Sequence, residues 1–216
     1  MNHDDPTPGR LGAFRPTRRQ FVSGLATGGV ALGLGLARLP ASAGTPARRG
    51  GAALVTGTDF ALNIGAMPID ITGRTRPAIT VNNSLPAPTL RWREGDTVTV
   101  HVSNRLRDMT SIHWHGILLP SNMDGVPGLS FNGIAPGETF QYRFQVKQSG
   151  TYWYHSHSMF QEQAGLYGAL VIDPRDPPPY HHDREHVVLL SDWTDLEPAA
   201  LYRRMKKMPE HDNYYQ

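Results

Sequence analysis

A two-residue alternation of apolar and polar side chains, interrupted every few positions by Pro, Gly or Asn, runs through residues 58–172. In "GDTVTVHVSN" Val98, Val100 and Val102 alternate with Thr97, Thr99 and His101, and "GETFQYRFQV" places Phe140, Tyr142, Phe144 and Val146 on one face. Successive side chains of a strand point to opposite faces, so these segments bury one side and wet the other. "TDFALNIG", "PAITVNN", "APTLRWR", "TYWYHSH" and "LYGALVID" read as further strands, punctuated by "SLPAPT", "MDGVPG" and "IAPGET". No part of this region carries a helical period. Short strands at this spacing predict an all-β Greek-key sandwich or barrel over residues 58–173.

The flanks read differently. "PTRRQFVSG" carries the twin arginine Arg18–Arg19 followed by Phe21, then an uncharged glycine-rich run over 21–37 and the small-residue pattern "ASAG". This predicts a cleaved twin-arginine export signal over 1–43, and hence a periplasmic protein with a flexible mature N-terminus over 44–57. The alternative is an uncleaved anchor, but the run is short for a span and diluted by five glycines. No other stretch is apolar enough to cross a membrane. At the other end, the proline-rich 174–185 reads as a linker. Beyond it "HVVLLSDW" reads as a strand and "EPAALYRRMKKM" as the start of a helix, together the beginning of a second domain over 186–216. So few residues cannot bury a core of their own. Either they pack back on the first domain, or the chain is the front of a longer protein.

Charge excludes one class of partner. Of 21 basic and 19 acidic residues, five arginines and two aspartates fall in 1–43, so 16 basic and 17 acidic residues remain. No basic cluster is left to follow a phosphate backbone, and nucleic acid is not expected as a partner. Cysteine is absent. Disulfides, thiolate metal sites and cysteine nucleophiles are therefore excluded.

Ten histidines are present. His3 falls in the signal, His101 sits on the polar side of its strand, and His181, His182, His186 and His211 lie in or beyond the linker. A chelating His181–His182 pair competes there with a solvated loop. The remaining four form two H-x-H pairs, His113 and His115 in "TSIHWHGILLP" and His155 and His157 in "YWYHSHS". In a regular strand, residues i and i+2 share a face at roughly 6.5–7 Å, which suits imidazoles serving neighbouring ions better than one shared ion. Two such strands side by side present four imidazoles to one volume. With no thiolate and no obvious carboxylate beside them, an all-nitrogen donor set favours copper or zinc. Trp114, between two of the histidines, points to the opposite face and reads as core.

"IHWHG" and "WYHSH", about forty positions apart in a β-domain, resemble the two N-terminal copper motifs of the multicopper oxidases. The surrounding "ILLPSNMDGVPGLSFNGI", "SGTYWYHSHSMFQEQAGLYGALVIDP" and "HVVLLSDWTD", with the twin-arginine signal, are similar to the bacterial copper-resistance oxidases. The resemblance implies a cupredoxin fold and a trinuclear copper cluster that reduces dioxygen to water. It implies that His113 ligates the type 2 copper, that His115 and His155 hold one type 3 copper, and that His157 holds the other. Asp124 matches an acidic residue that assists proton delivery; its plainer reading is an Asp-Gly turn former. Met123 and Met159 are candidate soft contacts to copper, or simply core filler and surface.

The departures from that family are equally definite. Its oxidases take electrons at a type 1 copper held by one Cys, and this chain has none; the second set of four cluster histidines is also missing. The expectation is therefore the N-terminal part of a periplasmic oxidase acting on cuprous ion or phenol-like donors. Its partners would be copper ions, dioxygen and one or more further cupredoxin domains in the same or another chain. The competing expectations are a copper-binding module without turnover and a degenerate scaffold used for protein contacts.

Overall fold

A computed structural model describes residues 52–208, apart from 178 and 180, together with residue 210. The expected signal over 1–43, the lead up to residue 51 and His211 lie outside the described residues.

The alternation resolves into nine strands in two sheets. One sheet holds β1 (Leu54–Thr56), β4 (Ala87–Arg93), β9 (Tyr167–Asp173), β8 (Gly150–His155) and β6 (His113–His115), in that order across the sheet. The other holds β3 (Thr75–Val81), β2 (Asp59–Asp70), β5 (Thr97–Asn104) and β7 (Thr139–Gln145). Pairs β1–β4, β4–β9 and β2–β5 run parallel and the rest antiparallel, so neighbours in space are often distant in sequence. Outside the strands the domain contains only a 3-10 turn at Ser121–Met123, as the missing helical period requires.

The inward faces of both sheets close one core. Val98, Val100 and Val102 are fully buried from β5, and Tyr142, Phe144 and Val146 meet them from β7 and its end. Trp92 and Trp114 pack with ring centroids 5.2 Å apart, and Trp114 meets Tyr142 edge-on at 5.4 Å. Such tilted contacts suit the ring quadrupoles. Tyr154 lies over Gly168, its register partner, and donates its hydroxyl to Pro88 O at 2.6 Å. A Cβ on Gly168 would meet that ring at 2.5 Å, so this strand position has room for hydrogen alone.

Two expectations about the flanks need correction. Residues 54–56, expected in a flexible lead, form β1 because β4 offers them a parallel edge. "HVVLLSDW", expected as a strand, pairs with nothing and runs extended, with Val188 and Leu190 largely exposed. A strand needs a partner to satisfy its backbone, and among the described residues none pairs with this one. The segment is instead tied back by scattered polar contacts. Arg91 bridges Asp173 at 2.6 Å and Glu185 at 3.1 Å, Tyr167 meets Ser191 at 2.9 Å, and Thr72 donates to Asp195 at 2.6 Å. Helix α1 (Pro198–Lys207) follows, capped by the Glu197 carboxylate, which accepts the N–H groups of Ala199 and Ala200. No helix among the described residues is long and apolar enough to cross a membrane.

Candidate metal centre

Strand β6 is three residues long, and its alternation builds the site. Trp114 is buried in the core while His113 and His115 project to the other face, His115 exposed and His113 partly covered. The strand is anchored just ahead by the Ile112 N–H, which donates to the buried Tyr142 hydroxyl at 3.2 Å. Across the sheet β8 repeats the device. Tyr154 enters the core, and Trp153 and His155 share the site face. The β6–β8 register sets His113 opposite His155 and His115 opposite Trp153.

His155 is the hub. Its ring centroid lies 5.5 Å from that of His113, 5.4 Å from His115 and 5.0 Å from His157. His113 and His157 approach more closely still, at 4.6 Å. Ring nitrogens of His113, His155 and His157 lie within 4.8 Å of one another, the only such group of three among the described residues. Trp153 stacks on His155 at 3.9 Å and a 13° interplanar angle, fixing the plane of that ring.

The expectation that both H-x-H pairs sit in regular strands holds for His113 and His115 but fails for His157. Strand β8 ends at His155. Ser156 then donates its N–H to Leu166 O while its hydroxyl accepts the Ser158 N–H, a local bond that competes with continued pairing. His157 leaves the strand with its N–H on Ser111 Oγ at 3.0 Å, swings towards His113, and stays exposed. The strand-derived spacing therefore does not by itself separate His155 from His157.

Hydrogen bonding assigns the ring nitrogens. His113 Nδ1 is 2.8 Å from the Asp124 carbonyl, which can only accept, so Nδ1 carries the proton and Nε2 keeps its lone pair. His155 Nδ1 donates to the Ser156 carbonyl at 3.1 Å, with Glu162 Oε2 in ion-pair contact at 2.7 Å, and Nε2 is freed in the same way. His155 Nε2 lies 3.1 Å from His115 Nδ1. Two imidazole nitrogens on one first-row metal, each at roughly 2.0–2.1 Å, stand about 3 Å apart, so this pair is spaced to share an ion. Burial pushes His155 down to about 4; its bond to the Ser156 carbonyl opposes this, and its three imidazole neighbours add to it. His157 is lowered too, by burial and then by His113. Neutral imidazoles with aimed lone pairs are what a metal requires.

Two carboxylates are present on the far side of the cluster, Asp124 and the unanticipated Glu162. Asp124 Oδ1 is 3.4 Å from His113 Nδ1, and Glu162 reaches His155 as described. Burial pushes the Glu162 carboxyl upward, opposed by His115. Both face nitrogens that already carry protons, so the converging donor set remains all-nitrogen. Asp124 also opens a turn. Gly125 follows at φ 73°, and a Cβ there would strike Ile112 O.

The other candidates lie elsewhere. Met123 packs against the core and its sulfur accepts the Arg143 N–H at 3.4 Å, while Met159 is on the surface. His101 stands near Asp59 at 3.7 Å, and His181, His182 and His186 are exposed away from the cluster. Glu162 and the stacking Trp153 escaped the sequence reading. Glu162 is seven positions from His155 with no periodicity to connect them.

The multicopper oxidase family model matches residues 63–177, a span that holds all four histidines. The chain belongs to the multicopper oxidase family. It is 57% identical over 203 residues to copper resistance protein A of Pseudomonas syringae pv. tomato, and 54% identical over 203 residues to copper resistance protein A of Escherichia coli. Each alignment covers 93% of this chain and 33% of the relative, so the chain spans about a third of the length of these multicopper oxidase relatives. Among solved structures, a multicopper oxidase from Pseudomonas thermotolerans superposes with a TM-score of 0.55 at 38% identity, covering 60% of this chain and 32% of that one. Copper is thus the metal the family implies, and the all-nitrogen donor set fits it.

Proposed function

We propose that this chain supplies one half of the trinuclear copper cluster of an exported, periplasmic multicopper oxidase that serves copper resistance. The observation that carries the reading is the hub geometry. His155 faces His113, His115 and His157, with the lone pairs of His113 and His155 freed by carbonyl acceptors on their far nitrogens. His113 is assigned to the type 2 ion, His115 and His155 to one type 3 ion, and His157 to the other. The 3.1 Å approach of His115 Nδ1 to His155 Nε2 supports the shared assignment.

Copper, when bound, supplies the redox change and the affinity for dioxygen. The chain's own residues do the rest. Trp153 holds the His155 ring plane, and the Asp124 carbonyl fixes the tautomer of His113. The Asp124 carboxylate would relay protons, which the conversion of dioxygen to water consumes one for each electron. His115 and His157 are exposed, leaving an open face for four further imidazoles from another cupredoxin domain. That domain would also bring the cysteine-ligated copper that this cysteine-free chain lacks. The reading divides residues 58–173, as the first cupredoxin domain, from a linker over 174–185 and the opening of a second domain over 186–216.

Copper loading of the 216-residue chain followed by metal analysis and electron paramagnetic resonance tests the site. Copper is expected to survive dialysis in the parent chain and to be lost in His155→Ala. Oxygen uptake with cuprous ion or a phenol as donor is expected only when a cupredoxin domain carrying the type 1 copper is also present. A parent chain that retains no copper, or oxygen uptake that survives His155→Ala, removes the reading.

A further inference from the structure

The polar turn that follows the cluster carries a carboxylate whose position is built rather than incidental. We propose that Glu162 is a positioning residue for the metal centre, its carboxylate beside His155 Nδ1 holding the proton on that nitrogen and so presenting Nε2 to copper. The inference rests on the copper reading above, and it concerns a residue outside both H-x-H motifs.

The ion-pair contact is short, 2.7 Å from His155 Nδ1 to Glu162 Oε2, alongside the hydrogen bond that Nδ1 makes to the Ser156 carbonyl. Although the Glu162 side chain is about half exposed, its backbone is pinned from several sides. Gln161, 6% exposed, places its side-chain oxygen on Thr110 and Ser156 and its amide on Met109 O. The Gly165 N–H donates to Glu162 O at 2.9 Å, and Ala164 O accepts the Ile79 N–H at 2.9 Å, tying the turn to β3. Gly165 sits at φ 120°, where a Cβ would meet Ile79 O at 2.7 Å, so the turn closes onto the sheet only with glycine there. The backbone therefore gives the carboxylate a fixed mount, and only the rotamer freedom of the side chain is left to lose.

The chemistry follows from the placement of the charge. An anionic acceptor on one nitrogen of a neutral imidazole locks the proton there and makes the opposite nitrogen a better donor to a cation. The Ser156 carbonyl accepts the Nδ1 hydrogen bond at 3.1 Å, but it is neutral and contributed by the adjacent residue, so the charge beside that nitrogen comes from Glu162. Because His155 touches all three other imidazoles, a ring turned away there would loosen the whole cluster.

The test uses the 216-residue chain, 15N-labelled and metal-free, at a pH above the ordinary histidine range, followed by titration with copper alone against a competing chelator. In the parent, His155 is expected in a single Nδ1–H tautomer with a strongly downfield ring proton. Glu162→Ala is expected to give mixed tautomers at His155 and roughly 10–100-fold weaker copper binding. Glu162→Gln keeps an acceptor without the charge, so the tautomer should hold while the ring proton moves upfield and the affinity loss shrinks. An unchanged His155 tautomer and copper affinity in Glu162→Ala overturns the proposal and hands the role to the Ser156 carbonyl. Should the alanine variant not fold, an unmoved ring proton in Glu162→Gln overturns it equally. A tautomer that depends on Glu162 in a parent chain that binds no copper would instead sink the copper reading and leave the orienting contact standing.

Discussion

His113 and His155 are register partners on adjacent strands, their rings edge-on with centroids 5.5 Å apart. Forty-two positions of chain separate them, so the sheet, and not local sequence, makes them neighbours. Removing His155 should cost the cluster far more than removing a histidine of similar type elsewhere. His155→Ala is expected to lose most bound copper on dialysis, while His101→Ala, on a different sheet and near Asp59, keeps the parent's stoichiometry. Equal copper loss in both would show that retention is a generic histidine effect.

Trp114 ties core packing to the site, because the same three-residue strand carries the two histidines of the first motif. It is fully buried against Trp92, Tyr142 and Tyr154. Trp114→Ala should destabilise the fold by roughly 3–5 kcal/mol, within the range for large aromatic truncations. Copper affinity should fall with it, and Trp114→Phe should lose less of both. Chemical denaturation paired with copper titration reads the two effects together, and a stability loss with undiminished affinity would separate the core from the site.

Gly125 sits at φ 73° with the Ile112 carbonyl where a Cβ would have to go. Gly125→Ala is therefore expected to cost roughly 2–4 kcal/mol, from backbone strain together with the displaced strand lead. Since the Asp124 carbonyl holds His113 Nδ1 from the same turn, the variant should also free the His113 ring, visible as altered ring resonances. A denaturation midpoint equal to the parent's would refute the steric argument.

The acid side of the stability profile has a defined direction. His155 is lowered from 6.5 to about 4 on folding, so between those values the unfolded chain binds the proton more readily than the folded one. The stabilising difference is fully present above pH 6.5 and is lost progressively as pH falls towards 4. Denaturation midpoints of the metal-free chain should decline across that window, and the decline should be shallower in His155→Ala. Parallel profiles for the two would show that His155 does not titrate as its burial requires.

Much of this architecture was legible because it is periodic. The valines of β5 and the aromatics of β7 announce their buried face through alternation alone, and Trp114 between two histidines does the same for β6. Non-local choices were not legible. "HVVLLSDW" has the composition of a strand, yet pairing needs an edge, and no property of the segment says whether one is available. The end of β8 at His155 depends on the Ser156 hydroxyl capturing the Ser158 N–H, a competition between side chain and ladder that composition does not resolve. Glu162 reaches His155 through a turn held by Gln161 and Gly165, a return path with no repeat to betray it.

The three-residue step of β6 also determines which genetic changes the motif tolerates. His113 and His115 stay on the open side only while Trp114 fills the core between them, so the stretch is read in steps of two. A point replacement at one step leaves its neighbours where they were. A single codon gained or lost between Ile112 and Gly116 would exchange the roles of every position, burying an imidazole and wetting an indole. A deep mutational scan should therefore show graded tolerance to replacement there and none to single-residue insertion or deletion.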